Sequence, residues 1–229
     1  MAHNLDHIDA FIFDLDDTLY PHGAFLTMDN FLSMLNEYAA EVNSLPLEKA
    51  QAVTESFLKN QQAGVSNEGD IIVKWQHEYN FNLQDFTNRL DNLDASHMQP
   101  CQRTLELLDA MPVRKVIFTN AHKSHAERML EILEMSHHFE HICDYVSRGQ
   151  RMKPNPDIYQ ELVERLDLDA SKCVMVEDRP ENLRPAKQLG MSTVLVHPHD
   201  HIGADADYVD MRHKDVIEWL ENVRIRPSL

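Results

Sequence analysis

The sequence is short of basic residues: 21 Lys and Arg stand against 38 Asp and Glu, a formal net charge of −17 with histidine neutral. A surface of that sign repels polyanions, which argues against nucleic acid polymers and anionic membranes as partners. It also repels small anions, so an anionic substrate needs local positive charge from a metal or from a few placed Lys and Arg side chains. Cysteine is scarce too. Cys101, Cys143 and Cys173 form no CxxC pair, and an odd, sparse set fits a reducing compartment. No apolar run approaches the roughly 20 residues that span a bilayer. The N-terminal MAHNLDHIDA has neither the basic region nor the apolar core of a secretion signal, so a cytoplasmic location is expected. The 229 residues, 43% hydrophobic, are enough for one large domain or a core with an insertion.

What is present begins with AFIFDLDDTLY, residues 10–20. A short apolar run that ends abruptly in acids reads as a buried strand delivering carboxylates to its end. Residues two apart in an extended chain point the same way, so Asp14 and Asp16 start on one side. Two close carboxylates repel, and one of them favours holding a proton. A divalent cation removes that cost, and magnesium binds through one or two carboxylates, waters and phosphate oxygens. The stretch therefore predicts a Mg²⁺-assisted site with an aspartate nucleophile, against the plainer possibility of an acidic turn capped by Asp17 or Thr18.

From 24 to 110 the periodicity is helical. Phe25, Met28, Phe31, Leu32, Leu35, Tyr38 and Ala39 form one amphipathic stripe. Pro46 opens a second helix with Leu47, Ala50, Val53 and Phe57 on its stripe. The polar stretch 61–69 predicts a loop, and 71–79 and 83–90 two shorter helices. Pro100 precedes another. From Val113 the pattern alternates: strands over 115–118, 141–146, 173–176, 193–196 and 207–209, helices over 124–133, 157–166, 181–189 and 216–223, with Gly190 closing the third of these. Alternation of this kind predicts right-handed βαβ units and a parallel sheet. The expected fold is α/β: a Rossmann-like doubly wound core over 1–20 and 100–229, with an all-helical insertion over 21–99 after the first strand.

Ligands bind at the carboxyl ends of strands in open parallel sheets. The first strand offers Asp14 and Asp16 there, and RKVIF offers Thr119 and Asn120. A hydroxyl just before a helix N-terminus suits a phosphate oxygen. In RMKPNPDIY, Pro154 stiffens the turn behind Lys153, while Asn155 and Pro156 start a helix. Lys153 on that rigid loop can neutralise both a nucleophilic carboxylate and a bound phosphate. CVMVEDRPEN ends a further strand in Glu177 and Asp178. Asp178 is the expected third carboxylate of the metal site. Glu177 is either an outer group acting through water or an acid at a helix start.

DLDDT (Asp14 to Thr18), FTN (Phe118 to Asn120), KPNP (Lys153 to Pro156) and VED (Val176 to Asp178) together resemble the motifs of the haloacid dehalogenase superfamily of phosphotransferases. The resemblance implies a Rossmann-like domain, Mg²⁺ dependence and an aspartyl-phosphate intermediate. Carried over, Asp14 matches the nucleophile and Asp16 the general acid/base. Thr119 and Lys153 match the phosphate binders, with Asn120 beside them on the substrate side. Asp14, the backbone carbonyl of Asp16, and Asp178 match the metal ligands. An aspartate at position 16 implies a phosphatase rather than a dehalogenase, and the helical insertion resembles the family's cap. FDLDDTLYP, RKVIFTNAHKSHAERML and the ending ADYV are similar to the pyrimidine 5′-nucleotidase-like branch. The segment QQAGVSNEG and Arg179 differ from that branch.

The expected function is hydrolysis of a small phosphomonoester by a monomer or homodimer, with a pyrimidine nucleotide as one substrate class. Sugar-phosphate or phosphoglycolate-type hydrolysis, phosphomutase action and a non-catalytic phosphate-binding module are the alternatives. Asp16 must hold a proton at the start, and its carboxylate neighbour is expected to raise its pKa. His137, His138, His141 and the run HPHDH read as surface histidines rather than a zinc site. Trp75 reads as packing within the insertion.

Overall fold

A computed structural model describes residues 3–62 and 71–224. Most of the loop expected over 61–69 lies outside the described residues. The chain divides into two compact units, Met1–Ala24 with Ala95–Leu229, and Phe25–Asp94.

The first unit is built on a parallel six-stranded sheet. In chain order its elements are β1 (His3–Asn4), β2 (Ala10–Phe13), and, after the helical unit, α5 (Gln102–Ala110), β3 (Arg114–Phe118), α6 (Lys123–Ile132), β4 (His141–Cys143), α7 (Pro156–Arg165), β5 (Cys173–Glu177), α8 (Pro180–Gln188), β6 (Ser192–Val196), β7 (Met211–His213), α9 (Val216–Asn222) and β8 (Val223–Arg224). The sheet order is β4-β3-β2-β5-β6-β7, and β1 and β8 form a separate parallel pair. Chain order runs outward from β2 through β3 and β4, then restarts beside β2 with β5. The β2/β5 boundary is therefore the switch point at which such sheets open a crevice.

AFIF in β2 is apolar throughout because both of its faces are covered. Phe11 and Phe13, two apart on one face, pack on Trp219 of α9 with ring centroids 4.9 and 5.8 Å away. Ala10 and Ile12 turn the other way, into a core with Ile158, Tyr159 and Leu162 of α7 and Leu183 of α8. Gly190 adopts φ 98° just past α8, where a side chain would be strained, and the turn closes through Met191 N to Ala186 O at 3.0 Å.

The strand expected over 207–209 is not formed, and Met211–His213 takes the edge position instead. Thr193 accounts for the shift. Its hydroxyl donates to Tyr208 O at 2.7 Å, and the Asp210 carboxylate accepts from Thr193 N at 2.9 Å. These side-chain bonds occupy the groups a ladder would use, so parallel pairing with β6 begins only at Met211, opposite Val194.

The second unit comprises α1 (Met28–Asn43), α2 (Leu47–Gln62), α3 (Ile71–Glu78) and α4 (Leu83–Asp91). Tyr38, Phe81 and Phe86 form its aromatic centre. Trp75 is fully buried, and its indole N–H donates to Thr54 Oγ1 at 3.3 Å, which donates to Asn36 Oδ1 at 2.6 Å. Three helices are thus joined through one buried polar chain, and Trp75 is packing. No helix among the described residues is long and apolar enough to cross a membrane.

Candidate active site

The register of the sheet brings the acids together. Phe13 stands opposite Val176 in β5, so Asp14 and Glu177 come level one residue further on. Asp14 N donates to Val176 O at 2.9 Å, which extends the ladder to Asp14. Asp178 follows at once. Beyond Asp14 the chain makes a tight turn, with Leu19 N to Leu15 O at 2.9 Å. That turn folds Tyr20 back onto Asp16.

Lys153 arrives from a loop rather than a strand. Its ammonium lies 2.8 Å from Asp14 Oδ1 and 2.7 Å from Glu177 Oε2, with 1% of the side chain exposed. Asn120 holds the lysine's backbone. Its Oδ1 accepts from Lys153 N at 2.8 Å, and its Nδ2 donates to Lys153 O at 3.1 Å. Asn120, expected on the substrate side, thus has both ends of its amide engaged in fixing the Lys153 loop.

Thr119 continues β3, its N–H donating to Cys143 O at 3.1 Å, and it is buried. Its Oγ1 accepts from Ala121 N at 3.0 Å, which leaves the hydroxyl proton for another acceptor. Arg148, which carries no signal in the sequence, underlies this turn. It is buried, donates to Asp144 O at 2.9 Å and Thr119 O at 2.5 Å, and stacks on Phe118 with 4.7 Å to the ring centroid. Desolvation lowers its pKa to about 10, so it remains a cation at neutral pH.

Burial dominates the titration of Asp14. Desolvation, then the Glu177 charge, outweigh Lys153 and push Asp14 up to about 7. Asp178 is raised well above the usual carboxylate range, first by burial and then by the charges of Glu177 and Asp14. Asp16 goes the opposite way to expectation. Burial works to raise it, but the His125 charge, hydrogen bonds from His125 and Tyr20, and the Lys153 charge together bring it below the usual value. His125 Nε2 lies 2.7 Å from Asp16 Oδ1, and the Tyr20 hydroxyl donates to the same oxygen. Neighbouring donors, not the neighbouring carboxylate, decide the state of Asp16.

Asp14, Glu177 and Asp178 each offer an oxygen within 4.8 Å of the others. An all-oxygen, all-carboxylate donor set suits a hard divalent cation such as Mg²⁺. Within it Glu177 is already engaged: Oε2 with Lys153, and Oε1 with Asn182 Nδ2 at 2.9 Å. Of these three, Asp14 through Oδ2 and Asp178 are left to hold a cation, and Asp178 also lies within 4.8 Å of donor atoms of Asp17 and His22. Away from this centre, Asp109, His137 and His138 also bring donor atoms within 4.8 Å of one another, with Asp109 and His137 on the surface. His141 is exposed.

Tyr20, His125, Arg148 and Asn182 are the site residues that sequence reasoning did not single out. The nearest signal was positional. His125 lies in the first turn of the helix that follows a site strand, and Tyr20 lies one helical turn beyond Asp16.

An α/β sheet with acids, a buried lysine and a threonine gathered at its switch point defines an enzyme of the Rossmann-like type. Residues 8–190 match the family described as haloacid dehalogenase-like hydrolase, and the chain belongs to that family. It is 25% identical over 222 residues to Phosphate metabolism protein 8 of Saccharomyces cerevisiae, covering 90% of this chain and 67% of that protein. It is 24% identical over 196 residues to Glyceraldehyde 3-phosphate phosphatase of Methanocaldococcus jannaschii, covering 82% and 85%. A shorter match, 38% identical over 64 residues, is to bifunctional epoxide hydrolase 2 of Mus musculus, and it spans only 28% of this chain and 11% of that protein. Among solved structures, a HAD phosphatase from Thermococcus onnurineus shares the fold, with a TM-score of 0.63 at 17% identity over 93% of this chain and 97% of that one.

Proposed function

We propose that the protein is a phosphatase that hydrolyses a small phosphomonoester through an aspartyl-phosphate on Asp14. The observation that carries this reading is the setting of Asp14. One carboxylate oxygen is held by a buried lysine at 2.8 Å, and the other takes no hydrogen bond among the described residues. Asp14 Oδ2 attacks phosphorus as the bond to the ester oxygen breaks. Asp16, ionised before substrate arrives, takes up the proton that a monoanionic phosphoester brings, gives it to the departing alkoxide, then takes a proton from the water that releases phosphate and regenerates Asp14. Lys153 and the Thr119 hydroxyl balance charge on the transferring group. Asp14, Asp178 and the backbone carbonyl of Asp16 would hold Mg²⁺, whose charge stabilises the phosphoryl oxygens when it is bound.

Replacing Asp14 with Asn removes the nucleophile at nearly constant shape. Purified Asp14→Asn protein should release no phosphate while keeping the circular dichroism and cooperative unfolding of the wild type. Turnover in that variant would overturn the assignment.

Two substrate classes compete. The likeness of FDLDDTLYP and RKVIFTNAHKSHAERML to the pyrimidine 5′-nucleotidase-like branch favours UMP and CMP. The relative named for glyceraldehyde 3-phosphate, matched over 82% of this chain, favours a phosphorylated sugar or triose. A phosphate-release screen with Mg²⁺ over UMP, CMP, glyceraldehyde 3-phosphate, sugar phosphates, phosphoglycolate and pyridoxal phosphate separates them. Transfer of the phosphoryl group within a sugar phosphate, without free phosphate, would instead indicate a mutase.

A further inference from the structure

We infer that Tyr20 and His125 are positioning residues for Asp16, clamping one oxygen of its carboxyl so that the other is kept for proton exchange with the leaving group and the water; this rests on the phosphatase reading above. Both donors converge on Oδ1: His125 Nε2 at 2.7 Å, and the Tyr20 hydroxyl. Oδ2 takes no hydrogen bond among the described residues, and the Asp16 side chain keeps 38% of its surface exposed. The carboxyl is thus gripped on one side and open on the other.

The two donors come from different elements, and each is anchored. Tyr20 is 6% exposed at the end of the turn that begins at Leu15. His125 stands in the first turn of α6 with 9% of its side chain exposed, beside the fully buried Ala126. A free aspartate would rotate about two side-chain torsions, whereas this one is held from two directions. The role proposed for Asp16 is demanding, since one carboxyl must give a proton and later take one along the same line. Proton transfer of this kind depends on orientation as much as on pKa.

The test uses leaving groups that differ in their need for a proton. Expulsion of p-nitrophenolate needs no general acid, whereas an alkoxide does. The specificity constant kcat/KM reports the steps through departure of the leaving group. It is measured for p-nitrophenyl phosphate and for the best alkyl phosphomonoester, with Mg²⁺, in wild type, Tyr20→Phe, His125→Ala, His125→Gln and Asp16→Asn. The expected result is a fall of about 10-fold or more in the alkyl-to-aryl ratio of kcat/KM for Tyr20→Phe and His125→Ala, within the range general acid catalysis supplies. His125→Gln, which retains a donor near the Nε2 position, should recover part of the ratio, and Asp16→Asn should lose the most. Parallel losses on both substrates, no loss, or a rise in the ratio would overturn the positioning role. Wild type that releases phosphate from neither ester, or Asp16→Asn with an unchanged ratio, would instead defeat the underlying reading of the site.

Discussion

The Lys153 ammonium and the Glu177 carboxylate lie 2.7 Å apart with both side chains shut away from solvent. Asp14 shares the same ammonium at 2.8 Å. One buried cation therefore compensates two buried acids. Removing it leaves charge in a medium that solvates it poorly, and breaking such a pair typically costs about 3–5 kcal/mol. Lys153→Met should lower the unfolding free energy from denaturant titration by an amount in that range. Adding Glu177→Gln should restore part of the loss, because the two residues share one network. Equal and additive losses in the double variant would show that the pair is not coupled.

Asn120 makes a separate claim on the same lysine. Its amide bonds both the N–H and the carbonyl of Lys153 and also accepts from Arg148 at 3.3 Å. Asn120→Leu keeps the volume and deletes all three bonds. Each buried partner left unsatisfied costs about 1–3 kcal/mol. The variant should unfold at lower denaturant, and kcat should fall more than KM rises, since the Lys153 loop loses its fixed position. A change in KM alone would point to direct substrate contact by Asn120 instead.

In the metal-free protein, Asp14 is raised from 3.8 to about 7 by burial, then by Glu177. The folded state therefore binds more protons than the unfolded chain between those values. The stability this gives is fully present below about pH 4 and is lost as pH rises through about 7. Asp178, also raised, acts in the same direction. Melting temperatures taken with chelator should fall from pH 5 to pH 8, and the fall should be smaller in Asp14→Asn. An unchanged slope in that variant would assign the pH dependence to the net charge of the whole surface.

The parts of the site that could be read from the sequence are those tied to strands. Apolar runs ending in Asp14, in Thr119 and in Glu177 with Asp178 announce both the strand and the chemistry at its end, because a buried parallel strand shows little alternation and stops sharply. Lys153 was legible through the prolines around it. His125 and Tyr20 were not, since their role depends on an approach across 109 residues in one case and on a turn's exact path in the other. The bond from the Asn120 amide to the Lys153 backbone was not legible either, because the two lie 33 residues apart. The edge strand Met211–His213 is too short and too polar to show a period, and the Thr193 bonds that displace it are tertiary.

Cation binding should be linked to protons at this site. Coordination requires ionised carboxylates, and Asp14 titrates near 7 while Asp178 is raised well above the usual range. At pH 6 a binding ion must displace protons that at pH 8 Asp14 has largely released. The apparent affinity for Mg²⁺ should therefore climb as pH rises through about 7 and then flatten as far as Asp14 controls it. Calorimetric titrations in buffers of different ionisation enthalpy count the protons set free, and the count should be higher at pH 6 than at pH 8. Asp178→Asn removes one ligand and one raised group together, so it should weaken binding and lower the proton count at once. Mg²⁺ affinity that is flat between pH 6 and pH 8, with no proton release, would place the cation somewhere other than between Asp14 and Asp178.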